Sequence, residues 1–575
     1  FYNSKTGNEI TLNKNPIREF QTIDILRLIK NRLRKESDLE NIQTNVDSIS
    51  TISESIFNKK LWELKTIYRE NYFDDTQQMI DFTIGFVSLE FYEEKAILDN
   101  SYDATKTYWT GCNDDSDEKL VSNLQMYINR LYLETDFKEF KDLIDALRIA
   151  IVGSDARPPK VPKEDVRRIY EVVDSMRPLH GAGFDLFGAV YEMFASPKEK
   201  KQFGEYFTRR HYAHLLAKLL LTTEKNYAPN KEFTILDPAC GTGGFLTESF
   251  KVLKNNYEKG GTFSKQARNF LELRCLYGID VKDQNISRTR LNMFLVGDGH
   301  TNMRRANTLR INEYPFVKSD PRITPVSEFD YIITNPPYGN GNIRAVTSAV
   351  SSSRTEIAFL CRIRDLLKPG VGKACVIQPD GTLENPTFGK FRKELLETFN
   401  IYAIVSLPKF AFAPYTKEKT YALFIEKHGI DITKTQKYPI WMYIIDNDGL
   451  ANSDKRFLTK LRNNMNGWLH DEISGWVSTD GEEMSGVLET AWLKFDDAKT
   501  DGTIFLTDKG ETVKLRKAGH IDIDKINKSN HYNLLPEYHL RKQAPNYVDI
   551  KEFSSELEKI RCEIGGLLND ENTSN

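Results

Sequence analysis

The spacing of apolar residues changes near residue 181. Before that point, apolar residues recur at the spacing of a helix, as at Val121, Leu124, Ile128 and Leu131. After it, short β-rich runs alternate with helical stretches, which predicts a mostly parallel sheet covered by helices. The runs are "FTILD", "LYGID", "FDYIIT", "KACVIQP", "IYAIVSLP" and "YALFIEK".

These patterns predict an α/β chain in three parts. Residues 1–180 are expected to form a helical N-terminal domain, residues 181–445 a domain with a mixed, mostly parallel sheet, and residues 446–575 a partly helical C-terminal extension. The extension ends in an apolar helical stripe that either docks on a partner or packs on its own chain. The stripe consists of Phe553, Leu557, Ile560 and Ile564.

Composition and charge narrow the class of protein. No apolar run approaches the ~18 residues of a membrane span, and the first residues carry no signal segment. The six cysteines include no CxxC pair, so neither disulfides nor a zinc site is expected, and a cytoplasmic location fits best. The 79 basic residues are balanced by 82 acidic ones. If nucleic acid is the substrate, its contacts are local or are shared with a partner.

A glycine-rich turn follows the first predicted strand, in "FTILDPACGTGGFL". In a doubly wound sheet, this strand-to-helix turn is where nucleotide-like ligands bind. The spacing is not G-x-G-x-x-G, and no P-loop lysine follows. Asp237 before the turn suits a cationic amino group better than a phosphate. An ordinary tight turn is the alternative interpretation. The turn includes Gly241, Thr242, Gly243 and Gly244.

Two polar residues further along extend this candidate site. Asp280 ends the second predicted strand, where a carboxylate can accept hydrogen bonds from a ribose diol or simply cap the strand. Asn307 is placed to meet an adenine amino group, although a satisfied loop amide explains it equally well.

The strand "FDYIIT" ends in Asn335, Pro336, Pro337 and Tyr338, an ending that no sheet requires. An exocyclic amine such as that of adenine is a poor nucleophile, because its lone pair is delocalised into the ring. Two rigid acceptors, the Asn335 amide carbonyl and the Pro336 backbone carbonyl, would free that lone pair. Tyr338 offers a ring on which a flipped base can stack. A Pro-Pro strand terminator is the simpler alternative.

A third motif, "KQFGEYFTRRHYAHLLAKLL", precedes the glycine-rich turn. Thr208 is expected to cap a helix that begins at Arg209. Tyr206 and Phe207 are placed to cover a bound cofactor. His211 and His214 share a helix face, but no third ligand accompanies them, so we expect surface or capping histidines and no metal.

Along the chain, the motif with Glu205 comes first, the turn after Asp237 second and the motif from Asn335 third. Motifs of these types in this chain order resemble the γ-class S-adenosylmethionine-dependent DNA adenine-N6 methyltransferases. Within that class, residues 181–430 are similar to the modification (M) subunit of type I restriction–modification systems. Two departures are visible, because Arg209 stands where the family usually has Pro, and Asn307 where Asp is common. The resemblance implies a Rossmann-like methyltransferase domain with the target adenine at Asn335 to Tyr338. It implies S-adenosylmethionine binding by Glu205, Tyr206, Phe207, Thr208, Arg209, Arg210, Asp237, Gly241, Thr242, Gly243, Gly244, Asp280 and Asn307.

The resemblance also implies partners. The substrate would be double-stranded DNA whose target adenine is flipped out before an in-line methyl transfer that needs neither a metal nor a covalent intermediate. Only 35 residues follow Leu540, too few for a fused recognition domain. We therefore expect a separate specificity subunit, two of these chains per complex, and a place for a restriction subunit.

Three other functions remain open at this stage. The chain could be a stand-alone DNA adenine methyltransferase whose N-terminal region or residues 430–540 read DNA. It could methylate another amine or amide in RNA or protein. It could also be a cofactor-binding scaffold without turnover in a defence complex. The order of the motifs favours the modification subunit over each of these.

Overall fold

The computed structural model describes most of residues 52–540, together with two short strands near the start of the chain. The longest internal gaps are residues 195–207, 222–231, 457–468 and 493–502. Glu205, Tyr206 and Phe207 lie outside the described residues, as does the predicted C-terminal stripe from Phe553 to Ile564.

The N-terminal part of the described chain is helical. The predicted stripe of Val121, Leu124, Ile128 and Leu131 is buried in one apolar core that these helices share. The core extends to Phe194, so the helix Leu186–Phe194 packs with the other N-terminal helices. The helices are α1 (Glu54–Ile67), α2 (Thr76–Leu98), α3 (Asp117–Leu133), α4 (Lys141–Leu147), α5 (Lys163–Asp174) and α6 (Leu186–Phe194).

A nine-stranded sheet forms the centre of the molecule, in the order β9-β8-β6-β7-β5-β4-β1-β2-β3. Five of its neighbouring strand pairs are parallel and three are antiparallel. The predicted mixed, mostly parallel sheet is therefore confirmed. The strands are β1 (Ile235–Asp237), β2 (Leu276–Asp280), β3 (Met303–Arg305), β4 (Tyr331–Thr334), β5 (Lys373–Pro379), β6 (Phe399–Ser406), β7 (Thr420–Lys427), β8 (Ile440–Ile444) and β9 (Ala518–Ile521).

All six β-rich runs predicted from the sequence are strands of this sheet. The sequence analysis missed the remaining three, β3, β8 and β9. Two of these lack a clear signal, because β3 is short and contains two arginines, and β9 contains Gly519 and His520. β8 is buried along its whole length and was overlooked because the alternation with helices stops there.

Helices cover both faces of the sheet. Along β4, Tyr331 and Ile333 face one apolar core while Ile332 faces the other, as the alternation of a strand requires. The helices are α7 (Arg210–Leu221), α8 (Gly244–Lys259), α9 (Lys265–Phe270), α10 (Asp283–Val296), α11 (Thr355–Leu366), α12 (Asp380–Glu384), α13 (Gly389–Thr398), α14 (Val487–Trp492), α15 (Ile523–Lys528) and α16 (Pro536–Leu540).

Short strands also pair outside the main sheet. One such pair, Asn340–Val346 with Ser351–Arg354, directly follows the predicted catalytic motif. The others are Thr11–Leu12 with Asn15–Pro16, Leu469–Asp471 with Gly475–Val477 and Glu483–Met484, and Thr503–Thr507 with Thr512–Arg516.

Helix α10 joins the helical region to the sheet. The guanidinium of Arg288 lies 5.1 Å from the ring centroid of Tyr191, and its Nη2 donates to Oε1 of Gln77 at 3.3 Å. Leu291 and Phe294, one and two turns further along α10, are buried in the core of the N-terminal helices. The helix that supports the candidate cofactor turn is therefore packed against the N-terminal region.

A buried arginine fastens the C-terminal part of the chain to the sheet. Arg392 of α13 is fully buried, and its guanidinium donates only to backbone carbonyls. The fork of donors suits several carbonyls at once, so one side chain holds two separate loops. The acceptors belong to Thr382, Glu384, Asn385, His531 and Tyr532.

Within the described parts of the chain, no helix combines the length and the apolar character needed to cross a bilayer.

Candidate active site at the carboxyl edge of the sheet

Three of the predicted site segments meet at one edge of the sheet. Strand β1 pairs in parallel with β2 on one side and with β4 on the other. Three neighbouring strands end in Asp237, Asp280 and Thr334. Because parallel strands end at the same edge of a sheet, these three residues lie near one another. The glycine-rich turn, the second acid and the motif from Asn335 to Tyr338 are thus brought side by side.

The glycine-rich turn is held in place by Asp280. One carboxylate oxygen of Asp280 accepts from the backbone N–H of Gly241 at 3.1 Å, and the other accepts from the N–H of Lys282 at 2.9 Å. The hydroxyl of Thr289 donates to the carbonyl of Gly241 at 2.7 Å. Gly241 and Gly243 have φ of 54° and 82°, a region that favours glycine. The turn is therefore preorganised by side chains of β2 and α10.

Asp237 is a buried acid in a site suited to a cation. Only 2% of it is exposed, and Oδ1 accepts from the N–H of Ala239 at 3.1 Å. Burial raises the pKa of Asp237 to about 7, and the nearby charge of Asp280 acts in the same direction. A bound cation would offset both effects, so this carboxyl group fits the ammonium or sulfonium group of S-adenosylmethionine.

A cavity of about 270 Å³ opens beside the strand ends. It is lined by Asp280 and Asn307 on one side and by Pro337 on the other, so it joins the candidate cofactor residues to the candidate catalytic loop. The amide oxygen of Asn307 accepts from the N–H of Leu309 at 3.1 Å. Asn307 thus lines the cavity, and its side-chain carbonyl stabilises its own loop.

Asn335 is fixed by hydrogen bonds on both ends of its amide. Its Nδ2 donates to the hydroxyl of Thr208 at 3.2 Å, and its Oδ1 accepts from the hydroxyl of Tyr338. Pro336 is buried and Pro337 is exposed, so the loop turns outward directly after Pro336. The carbonyl of Asn335 keeps a second lone pair for another donor.

The loop is also held after Tyr338. The N–H of Gly339 donates to Oε2 of Glu356 at 2.9 Å, and the carbonyl of Gly339 accepts from the N–H of Thr355 at 2.8 Å. Glu356 is 1% exposed, and its other oxygen accepts from Nε of Arg354 at 2.6 Å. Because Thr208 holds the loop before this point and the start of α11 holds it after, the loop is rigid without a ligand.

Thr208 lies between the two halves of the site. Its carbonyl lies 3.8 Å from the position that a Cβ on Gly244 would occupy, and its hydroxyl binds Asn335. The helix begins at Arg210, one residue later than predicted. Thr208 therefore connects the glycine-rich turn to the catalytic loop, a role that motif spacing alone did not indicate.

The two arginines after Thr208 bind the surrounding chain. Arg209 donates to the carbonyl of Ala413 at 3.2 Å, and Arg210 donates to the hydroxyl of Thr247 and lies 3.4 Å from a Glu248 oxygen. Burial alone would raise the pKa of Glu248, but His214, Arg210 and Lys251 outweigh burial and hold it at about 2. These contacts pack α7 against α8, and a direct role in cofactor binding stays a prediction.

His211, the second residue of α7, is half-buried rather than fully exposed. Its Nε2 is buried, and burial lowers the pKa of His211 to about 3, so the ring is neutral. Nδ1 of His214 lies 2.9 Å from Oε2 of Glu248, and this residue is exposed as expected.

Thr289, Thr355 and Glu356 are site residues that the sequence analysis missed. Each lies on a helix far from the motif it supports, so no local spacing indicates it. The only available signal is the polar start of α11, "TE", directly after a strand-like segment.

Comparisons with known proteins agree with this geometry. Residues 182–544 match the family model described as N-6 DNA Methylase. The type I restriction enzyme EcoEI methylase subunit of Escherichia coli is 32% identical over 253 residues, which cover 42% of this chain and 46% of that protein. The type I restriction enzyme StySPI methylase subunit of Salmonella potsdam is 26% identical over 293 residues, covering 48% of this chain and 53% of that protein.

A solved structure supports the fold. A chain from a structure concerning complex assembly and conformational transition of the type I R-M system has a TM-score of 0.51 and 21% sequence identity, and covers 89% of this chain and 96% of that chain. The match to the two named relatives is partial, because the chain spans about half of their length.

We predict unequal effects for alanine at the two positive-φ glycines of the turn. A Cβ on Gly243 would lie 2.8 Å from Cγ2 of Thr289, whereas a Cβ on Gly241 would meet nothing within 4 Å. Gly241→Ala should therefore lower the free energy of unfolding by only ~1 kcal/mol, from the strain of a positive φ in alanine. Gly243→Ala should lower it by at least ~2 kcal/mol, because the steric overlap with Thr289 adds to that strain. Thermal unfolding of both variants measures the difference. Equal losses would contradict the close approach of α10 to the turn.

Proposed function

The chain belongs to the N-6 DNA methylase family, and we propose that it transfers a methyl group from S-adenosylmethionine to N6 of adenine in duplex DNA. We propose further that it is the modification subunit of a type I restriction–modification complex. The two relatives named as type I restriction methylase subunits support this second step.

The observation that carries the proposal is the fixed amide of Asn335. It lies at the end of β4, next to the glycine-rich turn at the end of β1, and it is held by Thr208 and Tyr338. An amide carbonyl in this position accepts a hydrogen bond from an amine, and it lies beside the cavity in which we place the cofactor.

The residues around the turn are suited to S-adenosylmethionine. Asp237 would bind its cationic amino acid end, and the carboxylate of Asp280 would accept from its ribose hydroxyls. Asn307 lines the cavity in which the adenine ring would lie. When bound, the cofactor supplies a methyl group activated by a positively charged sulfur.

The chain's own contribution to the reaction is to polarise and align the amine. The carbonyl of Asn335 accepts one N–H of the adenine amine, and the backbone carbonyl of Pro336 accepts the other, which favours a tetrahedral nitrogen with a free lone pair. Because the loop is clamped by Thr208 and Glu356 in advance, this electrostatic stabilisation costs little reorganisation. The ring of Tyr338 holds the base by stacking, worth ~1–3 kcal/mol.

The target base must leave the duplex to reach Asn335, and flipping costs a few kcal/mol. The balanced charge of the chain, 79 basic against 82 acidic residues, supports shared binding of DNA with another subunit. We therefore propose that a separate specificity subunit reads the sequence, that two of these chains join each complex, and that a restriction subunit can be added.

We predict that Asn335→Ala reduces methyl transfer by about a hundredfold to a thousandfold, because removal of one preorganised polar contact to a developing charge costs ~2.7–4 kcal/mol. The full chain, co-expressed with the protein encoded beside it, is incubated with duplex DNA and cofactor carrying a labelled methyl group. Cofactor affinity, measured by calorimetry, should stay within about threefold of the unchanged protein, since Asn335 lies on the far side of the turn.

Asn255→Ala is the matched control, because Asn255 is exposed on α8 and lines no part of the cavity. It should keep methyl transfer within a few-fold of the unchanged protein. Full transfer by the Asn335 variant would overturn the proposed role of this amide. Absence of transfer by the unchanged complex on DNA that contains its recognition site would overturn the proposed function.

We predict that cofactor affinity depends on pH through Asp237. Its pKa is about 7, so its carboxyl group gains a proton as pH falls below that value and loses attraction for a cation. Affinity should fall about tenfold per unit below pH ~7, measured below the pH ~7.7–8.0 at which an α-amino group itself loses its proton. Asp237→Asn should bind weakly with a flat profile, whereas Asp115→Asn on the exposed helical surface should match the unchanged protein. A pH-independent affinity of the unchanged protein would contradict the role of Asp237.

A further inference from the structure

A two-stranded ribbon follows the catalytic loop without a break. It consists of Asn340–Val346 paired in antiparallel fashion with Ser351–Arg354, and Gly339 with φ of 101° makes the turn into it. The ribbon packs on α11, with Ala345 and Ser352 buried. Its tip is held by the hydroxyl of Thr347, which donates to Oε2 of Glu394 at 2.6 Å. The ribbon is therefore a fixed surface beside Asn335.

One face of the ribbon is turned to solvent. Along the first strand, every second residue is exposed, whereas Ala345 is buried; the exposed residues are Asn340, Asn342, Arg344 and Val346. Val346 is 72% exposed, although valine is an apolar residue. We call this surface the outer ribbon face, and it consists of Asn340, Asn342, Arg344, Val346, Ser351 and Ser353.

Arg344 is oriented on this face rather than left to move. Its Nε donates to the hydroxyl of Ser351 at 2.7 Å, and its Nη2 lies 3.4 Å from the Ser351 carbonyl. Among the residues that the structure describes, no carboxylate pairs with Arg344. The second arginine of the ribbon, Arg354, is paired with buried Glu356 at 2.6 Å, so Arg344 supplies the positive charge of the outer ribbon face.

The composition of this segment differs from that of the rest of the chain. Residues 339–354 contain no Asp or Glu, in a chain with 82 acidic residues among 575. They are rich in Asn, Ser and Gly, whose short polar side chains let another molecule approach the backbone closely. Arginine with small hydroxyl and amide side chains is the combination that contacts phosphate groups in protein–DNA interfaces.

We propose that the outer ribbon face binds the phosphate backbone of duplex DNA next to the flipped adenine. This inference rests on the proposed function, because a base held at Asn335 must have its flanking DNA near Gly339 and the ribbon. Arg344 positions the DNA and carries no sequence information, since phosphate contacts are the same for every sequence. It is a positioning residue, because it lies outside the site of methyl transfer.

The test is DNA binding by the assembled complex, measured by fluorescence anisotropy over a range of salt concentrations. Arg344→Gln should weaken binding about tenfold at moderate salt and lower the slope of log affinity against log salt by ~0.9, as loss of one phosphate contact requires. Val346→Asp should weaken binding to a similar extent by repulsion, and it leaves the hairpin bonds intact. Cofactor affinity should be unchanged in both variants. The signal of 2-aminopurine at the target position, which reports flipping, should appear only at higher protein concentration.

Two control variants separate this role from a structural one. Ser351→Ala removes the hydrogen bond that holds Arg344 while keeping its charge, so the salt slope should stay unchanged. Arg274→Gln removes an exposed arginine before β2, at the opposite edge of the sheet, and should not affect DNA binding. If Arg344→Gln keeps the affinity and slope of the unchanged complex, the inference is overturned while the proposed function stands. If the unchanged complex binds and methylates no DNA, both are overturned.

Discussion

The parallel pairing of β1 with β4 is the constraint on which the site depends. It places the end of a glycine-rich turn and the start of a proline-fixed loop at the same edge, one strand apart. Neither segment has a side chain that could perform a reaction on its own. Their combination leaves a cavity lined by Asp280 and Pro337, and the oriented amide of Asn335 lies two residues before Pro337. A shift of either strand by one residue would turn those side chains to the other face of the sheet.

Buried acidic residues stabilise the carboxyl edge of the sheet, and each of them has different partners. Glu248 is held ionised by Arg210, His214 and Lys251, and it packs α7 on α8. Glu356 binds the backbone of Gly339 and the guanidinium of Arg354, which fixes the catalytic loop and the ribbon together. Asp237 is the exception, because no cation among the described residues offsets its burial, and its pKa is accordingly raised. A buried acid in that condition is the group that gains most from a positively charged ligand.

The sheet and the motifs at its edge could be predicted from the sequence. The side chains on other helices that hold those motifs in place could not. Long apolar runs such as that of β5 indicate strands directly, and the motifs from Asp237 and Asn335 indicate where two of them end. Thr289 and Glu356 carry no comparable signal, because they act across the fold from helices whose pattern only reports packing. The buried Nε2 of His211 has no local signal either, since the packing of α7 sets its burial. The partner-docking helix near the C-terminus and the roles of Glu205 to Phe207 stay predictions.

The identity of the methylated atom tests the central claim most directly. Duplex DNA that carries the recognition site is incubated with the assembled complex and labelled cofactor, and is then digested to nucleosides and analysed by mass spectrometry. An amide and a proline carbonyl arranged to hold an adenine amine predict that all of the label appears in N6-methyladenine. Label in another nucleoside, or in protein instead of DNA, would contradict the account of Asn335 and its neighbours.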